Sequence, residues 1–495
     1  MQDVARQGIY FIKTVGIILS AGIFAMAAPL TDLFLREADL WWHIKSGQVM
    51  LATGHVPQVD TFSYTHEGQP WIAKEWLSQV IYAVVYDSAG WGGPLLLSAM
   101  VIALTAWLLY TSFTRNLQPI FAVLLVLFCQ FMVVAVTAAR PHVFTFPIAV
   151  AFTILLFGAA RRMERPPFWA LLLIVLWTNL HGSFAISFLI AGAAFLDYAQ
   201  RSRIGDKRTL ALWVLFLVLC PAVTLVNPYF IRPHIIALNL VNGIAIMDKI
   251  SEWAPFTAPN NKAVEFGFMA VLFSITWSRA RLTIGQIIFA LFMLHMMLSY
   301  LRFIYLFFLL VPLVVLPEVV EAWPVLSMER WQQRARDSVE CFVGRNSVII
   351  SGLVLLMSLS FAGFLLESGR AKPPEFVAIS GALAFVERNV ETHPSLKMRV
   401  LNGASFGGAL IMKNIKTYID GRMEQLFFGD FMTNYLDSGS ASGMPQLQKI
   451  LEDKSIGWTI FPPDSQRNTN LAKLPEWEKT YSDDYAVIYE RKGRT

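Results

Sequence analysis

Apolar residues run in blocks approaching the thickness of a bilayer's hydrocarbon core at about eleven places along the chain. The blocks centre near Leu19, Ala103, Leu125, Ala151, Leu173, Leu189, Leu217, Leu272, Phe289, Val311 and Leu356. The fifth, over 168–180, is short and leads through Asn179-Leu180-His181-Gly182 straight into the next. That pattern predicts a tight hairpin with its tip at the membrane interface. Basic residues gather in alternate connections, at Arg115, at Arg161, Arg162 and Arg165, at Arg201, Arg203, Lys207 and Arg208, and at Arg279 and Arg281. The connection after Val311 continues the series with Arg330, Arg334, Arg336 and Arg345. Basic short loops stay cytoplasmic, so the alternation predicts an inside N-terminus.

Three longer polar segments then fall outside: 31–91, 227–262, and a tail from about 367. The first holds two amphipathic stretches, 40–53 and 72–86, which predict helices lying in the interface plane. Gly54, Pro57, Gly68 and Pro70 break the passage between them. The tail alternates short apolar strands, at 399–401, 417–419, 457–461 and 485–489, with helical patterns at 405–412 and 444–451. Such alternation predicts a layered α/β fold. The expected architecture is an α-helical polytopic membrane module of about eleven transmembrane helices over 1–367, followed by an extracytoplasmic α/β domain over 368–495.

Composition agrees. Of 495 residues, 55% are hydrophobic and 15% charged, against roughly 25% charged in soluble domains. The net charge of +5 comes with the basic loops and gives no reason to expect a nucleic-acid partner. Three cysteines, Cys129, Cys220 and Cys341, form neither a disulfide framework nor a metal signature. Ala25-Met26-Ala27 mimics a signal-peptidase site. Cleavage there would detach the following polar cluster from its first anchoring helix, so retention is expected.

That cluster carries the chemistry. Residues 36–43 place Glu37, Asp39 and His43 just after the first apolar block, beside Trp41 and Trp42. Tryptophan favours the membrane–water interface, so these titratable groups are well set to act on a lipid headgroup. The plainer reading makes Asp39 the N-cap of a helix over 40–53. Further polar residues fall at the outer ends of the blocks. His66, Glu75 and Trp76 lie in the first loop, Arg140 and His142 between the third and fourth blocks, and Asn179 and His181 at the hairpin tip. Asn227, Glu252, His295 and Arg302 complete the set. Ionisable groups near membrane spans are costly and usually serve function.

Arg140 and Arg302 offer planar forks for a phosphate, or else only snorkel to headgroups. A carboxylate could take the proton of an acceptor hydroxyl. Glu37 and Asp39 share a side if the segment is extended, whereas Asp39 and His43 share a face if it is helical. The acidic pair could also hold a divalent cation, Mg or Mn, beside the phosphate. Asn227-Pro228 suits a span terminator, and Asp420-Gly421-Arg422 a turn after a strand. Phosphate-loop, serine-hydrolase, zincin and dinucleotide motifs are absent from the sequence.

The chain resembles the GT-C superfamily of membrane glycosyltransferases, and most closely a bacterial branch of it. The likeness rests on Asp39-Leu40-Trp41-Trp42-His43, on 57–65, on 71–77, on Arg140-Pro141-His142, on 179–182 and on Asn227-Pro228. In the tail, Gly407-Gly408 and Ile419-Asp420-Gly421-Arg422 belong to it as well. The resemblance implies a catalytic first-loop carboxylate, which falls on Asp39, with Glu37 as its acidic neighbour. It implies a polyprenyl-phosphate-linked sugar donor, a membrane-lipid setting, an envelope acceptor and an inverting transfer at the outer face of the bacterial cytoplasmic membrane. The tail lacks the Trp-Trp-Asp-Tyr-Gly motif of oligosaccharyltransferases, so transfer of whole glycans to Asn is not expected. A transporter or flippase of a lipid-linked substrate is the rival reading, but no paired halves are visible. A non-catalytic envelope assembly protein is the other.

Overall fold

The computed structural model describes residues 2–133, 138–202, 206–241, 255–257, 261–334, 343, 346–367 and 369–493. In chain order the first fourteen helices are α1 (Gln2–Ala25), α2 (Thr31–Leu35), α3 (Asp39–Thr53), α4 (Trp76–Ala89), α5 (Gly92–Phe113), α6 (Pro119–Val133), α7 (Thr145–Arg161), α8 (Leu171–Leu180), α9 (Ile186–Ser202), α10 (Lys207–Val223), α11 (Arg232–Val241), α12 (Lys262–Ser278), α13 (Ile284–Ser299) and α14 (Ile304–Ala322). Two compact units form. One comprises 1–30, 94–230 and 248–371, and the other 31–93, 231–247 and 372–495.

The first unit is helical, and each of the eleven apolar blocks lies on a helix. Among the described residues, five helical stretches are long and apolar enough to cross a membrane: Gly92–Phe113, Pro141–Arg161, Gly182–Ser202, Leu301–Ala322 and Ser347–Glu367. Ile9–Ala25, Pro119–Val133, Phe168–Leu180 and Ile284–Ser299 are apolar but shorter. Eleven blocks therefore give eleven helices, of which five meet the length and hydropathy of a crossing. The chain is a membrane protein on that ground. Helix α14 is apolar all round and buried along most of its length, as a central helix must be. Helix Ser347–Glu367 is equally apolar but exposed, with Val348 81% and Met357 70% open, so its sides suit lipid.

The second unit is α+β in its tail. Its strands are β1 (Arg399–Asn402), β2 (Ile456–Phe461), β3 (Trp477–Ser482) and β4 (Val487–Arg491), in the order β1-β2-β4-β3. The β1–β2 pair is parallel and the other two pairs are antiparallel. All six residues of β2 are buried, which fits a strand with both faces covered. Trp41 of α3 joins the tail's core with Leu383, Val400, Trp458 and Ile460, so the first loop and the tail share one hydrophobic cluster.

Three local expectations change. Residues 417–419 are not a ladder strand. Their backbone pairs with the first loop, through Tyr64 N–H to Thr417 O at 3.1 Å and Thr417 N–H to Phe62 O at 3.1 Å. The strand β3 replaces it in the sheet. It is an edge strand, largely polar and exposed, so its sequence carries little apolar alternation. The helix expected over 72–86 begins at Trp76, because Trp71, Ile72 and Ala73 are buried outside helical structure. Finally, β4 starts at Val487 because the Asp483 carboxylate accepts from the Tyr485 and Ala486 N–H groups and holds a turn there.

Candidate functional site

The acidic motif lies in the second unit. Asp39 is the first residue of α3, and Ala38 occupies the N-cap without a side-chain bond, so Asp39 is not the cap. Its carboxylate sits in the first turn, where the helix pole favours negative charge. Oδ1 accepts the Trp42 indole N–H at 3.0 Å. Glu37 precedes the helix, so of the two geometries left open by the sequence, Asp39 and His43 take the helical one.

Two tail glycines make room for this turn. A methyl on Gly408 would run into the Ala38 carbonyl and stand 3.0 Å from Trp41 Cβ. A methyl on Gly421 would overlap the Asp39 carboxylate oxygen and lie 2.9 Å from both Asp39 Cγ and Trp42 Nε1. The bend at 420–422 therefore forms a wall against which Asp39 rests. Both glycines belong to the stretches that carried the family resemblance.

The wall is itself fastened. Arg422 is 2% exposed and stands between Asp60 and Asp420, which are fully buried. Its Nη1 reaches Asp60 Oδ1 at 2.5 Å, and its Nε and Nη2 grip the two Asp420 oxygens at 2.8 and 2.7 Å. The guanidinium also lies over Trp71 and Phe62, at 4.9 and 5.2 Å from the ring centroids. Burial opposes the charge on Arg422, but the two aspartates outweigh it and raise its pKa. Asp60 accepts in addition from Phe62 N–H at 2.9 Å and from the Ser63 hydroxyl. Thr65 Oγ1 donates to Tyr418 O at 2.7 Å, and Tyr64 Oη to Val400 O at 2.7 Å. Sequence reasoning missed Asp60, Asp420 and Arg422. Their signal was an acid and an Asp-Gly-Arg placed in resembling stretches, but Asp-Gly alone reads as a turn.

The remaining first-loop candidates surround this centre. His43 is 2% exposed in the seam between α3 and α4. Its Nδ1 is 3.1 Å from Gln79 Nε2, and its Nε2 is 3.8 Å from Glu75 Oε2. Ser46 extends the seam with a 2.8 Å bond to Gln79. Glu75 and Trp76 start α4, where Glu75 makes no side-chain cap bond. His66 stands edge-on to Phe427 and Phe431, with ring centroids 4.9 and 4.7 Å away. Burial chiefly lowers its pKa, against the pull of Asp60.

A second group lies in the first unit, at the starts of three helices. Arg140 is extended and leads into a 3-10 turn, Pro141–Phe144, that opens α7. His181 is extended and leads into Gly182–Ala185, which opens α9. Arg302 sits in the turn Leu301–Phe303 that opens α14. Aromatic contacts join these starts. The His142 ring is 6.5 Å from His181 and 6.0 Å from Tyr305, and Phe146 is 4.9 Å from Tyr305. Three helix N-terminal ends thus converge. Such ends attract anions, and two arginines stand among them.

Ser183 N–H donates to His181 Nδ1 at 3.2 Å, so Nε2 carries the ring proton. Asn179 is a clamp, giving Nδ2–H bonds to Val175 O at 2.8 Å and Val226 O at 2.9 Å. Asn227 shapes a turn through Thr224 O and Phe230 O, as a span terminator does. His295 is exposed on α13, and Glu252 lies outside the described residues. Among the described residues, no group of three or more His, Cys, Asp or Glu is placed to hold a metal ion.

No protein-family model matches the chain, and no curated protein matches its sequence. Solved structures do. The oligosaccharyltransferase of Archaeoglobus fulgidus in its apo form is similar with a TM-score of 0.57 at 13% identity, covering 91% of this chain and 69% of that one. The same enzyme in complex with Zn and sulfate gives a TM-score of 0.50 at 12% identity, covering 90% and 68%. ArnT from Cupriavidus metallidurans bound to undecaprenyl phosphate gives 0.49 at 13% identity, covering 96% and 97%. The likeness to the oligosaccharyltransferase shows a shared fold, in line with the sequence resemblance.

Proposed function

We propose that the chain is an inverting glycosyltransferase that moves a monosaccharide from a polyprenyl-phosphate carrier to an envelope glycan, lipid or protein acceptor. The observation that carries this reading is the Asp39 carboxylate, held by the Trp42 indole and backed by the 420–422 bend. A base that must meet one hydroxyl profits from such fixing. Asp39 takes the acceptor's hydroxyl proton as the acceptor oxygen bonds to the sugar's anomeric carbon. The bond from that carbon to the phosphate oxygen breaks, and the lipid phosphate leaves with its electron pair. Attack opposite the leaving group inverts the centre. Within the first unit, Arg140 and Arg302 are planar donors of the kind that suits a lipid phosphate. Glu37 is the acidic neighbour of Asp39. A divalent cation, if bound, would meet Glu37 and Asp39, and no step here runs through it.

The shared core of the first loop and the tail supports placing both on one side of the membrane. The basic loops of the sequence support reading that side as the outer face of a bacterial cytoplasmic membrane. The test is mass spectrometry of envelope glycans and lipids from cells with the chain, without it, and with Asp39→Asn. Loss of one monosaccharide without the chain, and a drop of roughly 10²–10⁴-fold in its transfer with the folded Asn variant, is expected. An unchanged glycan and lipid profile in cells lacking the chain would reject the transferase reading. Normal transfer by the Asn variant would remove Asp39 from it.

A further inference from the structure

Within the first unit, a cavity of about 170 Å³ lies at the other ends of α7, α9 and α14 from Arg140, His181 and Arg302. One water needs only about 10–15 Å³, so the space fits something larger. Its wall takes residues from the end of α5, the second halves of α7, α9 and α14, and the first turn of α13.

Four arginines line it: Arg115, Arg161, Arg162 and Arg201. Two are spoken for. Arg161 pairs with Glu318 at 2.7 Å, and Arg201 with Asp197 at 3.0 Å and Glu318 at 2.6 Å. Both lie in last helical turns, where a cation also complements the helix pole. The other two differ. Among the described residues Arg162 pairs with Glu164, both more than half exposed, which is worth little. Arg115 is exposed and has no carboxylate partner among the described residues. The Thr153 hydroxyl also lines the cavity, is buried, and has no hydrogen-bond partner among the described residues. A buried polar atom without a partner costs free energy, which a ligand oxygen would recover. The rest of the wall is mixed, with Asn116, Asp197 and Gln286 polar and Ile154, Phe157 and Leu313 apolar.

Two arginines not held by buried carboxylates, an orphan hydroxyl and an apolar part of the wall together describe a site for an anionic amphiphile. We propose that this cavity binds the phosphate headgroup of an anionic phospholipid, a lipid site separate from any sugar donor. Arg115 and Arg162 meet the phosphate, Thr153 hydrogen-bonds a glycerol or ester oxygen, and the apolar wall covers the first methylenes. Basic pockets between membrane helices recognise anionic headgroups in this way. The inference does not depend on the transferase reading.

Native mass spectrometry of the full chain in detergent tests it, with phosphatidylglycerol, phosphatidylcholine and inorganic phosphate titrated in parallel. Phosphatidylglycerol is expected to bind roughly tenfold more tightly than phosphatidylcholine, the worth of one charge-assisted hydrogen bond. Arg115→Gln with Arg162→Gln should erase that preference, while Arg115→Lys should keep most of it. Arg115 is exposed and unpaired, so Arg115→Gln alone should melt as the parent does, and its lipid preference should still fall. Equal binding of both lipids by the parent chain would overturn the proposal. So would an undiminished preference in the folded double variant. Binding of inorganic phosphate with no lipid preference would assign the cavity to a free anion and overturn the lipid as well.

Discussion

Replacing Arg422 by Ala strips the only cation from two fully buried aspartates, Asp60 and Asp420, among the described residues. Breaking a buried ion pair by removing one partner costs about 3–5 kcal/mol. Lost packing under Trp71 and Phe62 adds to this. The damage should be local, because a membrane protein of two units need not unfold in one step. Hydrogen exchange is therefore the assay. Amides in 60–72 and 417–426, including Tyr64 N–H on Thr417 O, should exchange roughly 10²–10⁴-fold faster, the equivalent of 3–5 kcal/mol. Helices α5 to α10 should keep their protection. Adding Asp60→Asn and Asp420→Asn to Arg422→Met removes the buried charge and should restore part of the loss. Less than about fivefold faster exchange in Arg422→Ala would refute the buried triad as the fastening of this bend.

Gly421→Ala places a methyl on the Asp39 carboxylate. It should cost about 1–3 kcal/mol by overpacking and about 10²-fold in transfer by displacing the base, and a fully active, stable variant would free Asp39 from the 420–422 bend. Arg140→Lys and Arg302→Lys keep charge but lose the planar fork, so each should reduce donor use by about tenfold or more, and full activity in both would make them interface anchors only. The lowered pKa of His66 means that its neutral form stabilises the fold above the ordinary pKa, and that this contribution is lost as pH falls through the lowered value. Thermal melting should thus weaken on going from neutral to acidic buffer, His66→Gln should reduce that acid sensitivity, and an identical pH profile in the variant would remove His66 as a cause.

The membrane body was legible because burial in lipid and in helix–helix contacts demands long apolar blocks, and each such block became a helix. Crossing number was less legible, since a block such as 168–180 is apolar yet too short, and hydropathy does not tell a span from a buried half-helix. Asp39 stood out because it follows the first block beside two tryptophans. Its surroundings did not, because Gly421 and Arg422 lie more than 380 residues further on. The stretch 417–419 shows the difficulty well. Its β-prone residues make backbone bonds, but to Phe62 and Tyr64 rather than to the tail's own sheet. His43 looked like a second catalytic group from its spacing alone. Only the position of α4 reveals Gln79 and Glu75 as its neighbours.

A carboxylate on a loop would ordinarily be mobile, and a mobile base is a poor one. Here the loop contributes the residue, and the tail contributes the surface that holds it. Trp41, two residues before the end of the Asp39-to-His43 motif, sinks into the tail's core beside Trp458, while Gly408 lets the tail backbone come close behind Ala38. Asp60 from the loop and Asp420 from the tail then share Arg422, so the loop's buried charge is met by a cation that the tail supplies. Desolvating three charges is expensive, and apolar residues would fasten two segments at lower cost. What a charged triad adds is direction. The guanidinium fork fixes the bend at 420–422 in orientation as well as in place, and that bend is what Asp39 rests on. On the transferase reading, the tail is therefore part of the catalytic apparatus through positioning, although it supplies none of the reacting groups.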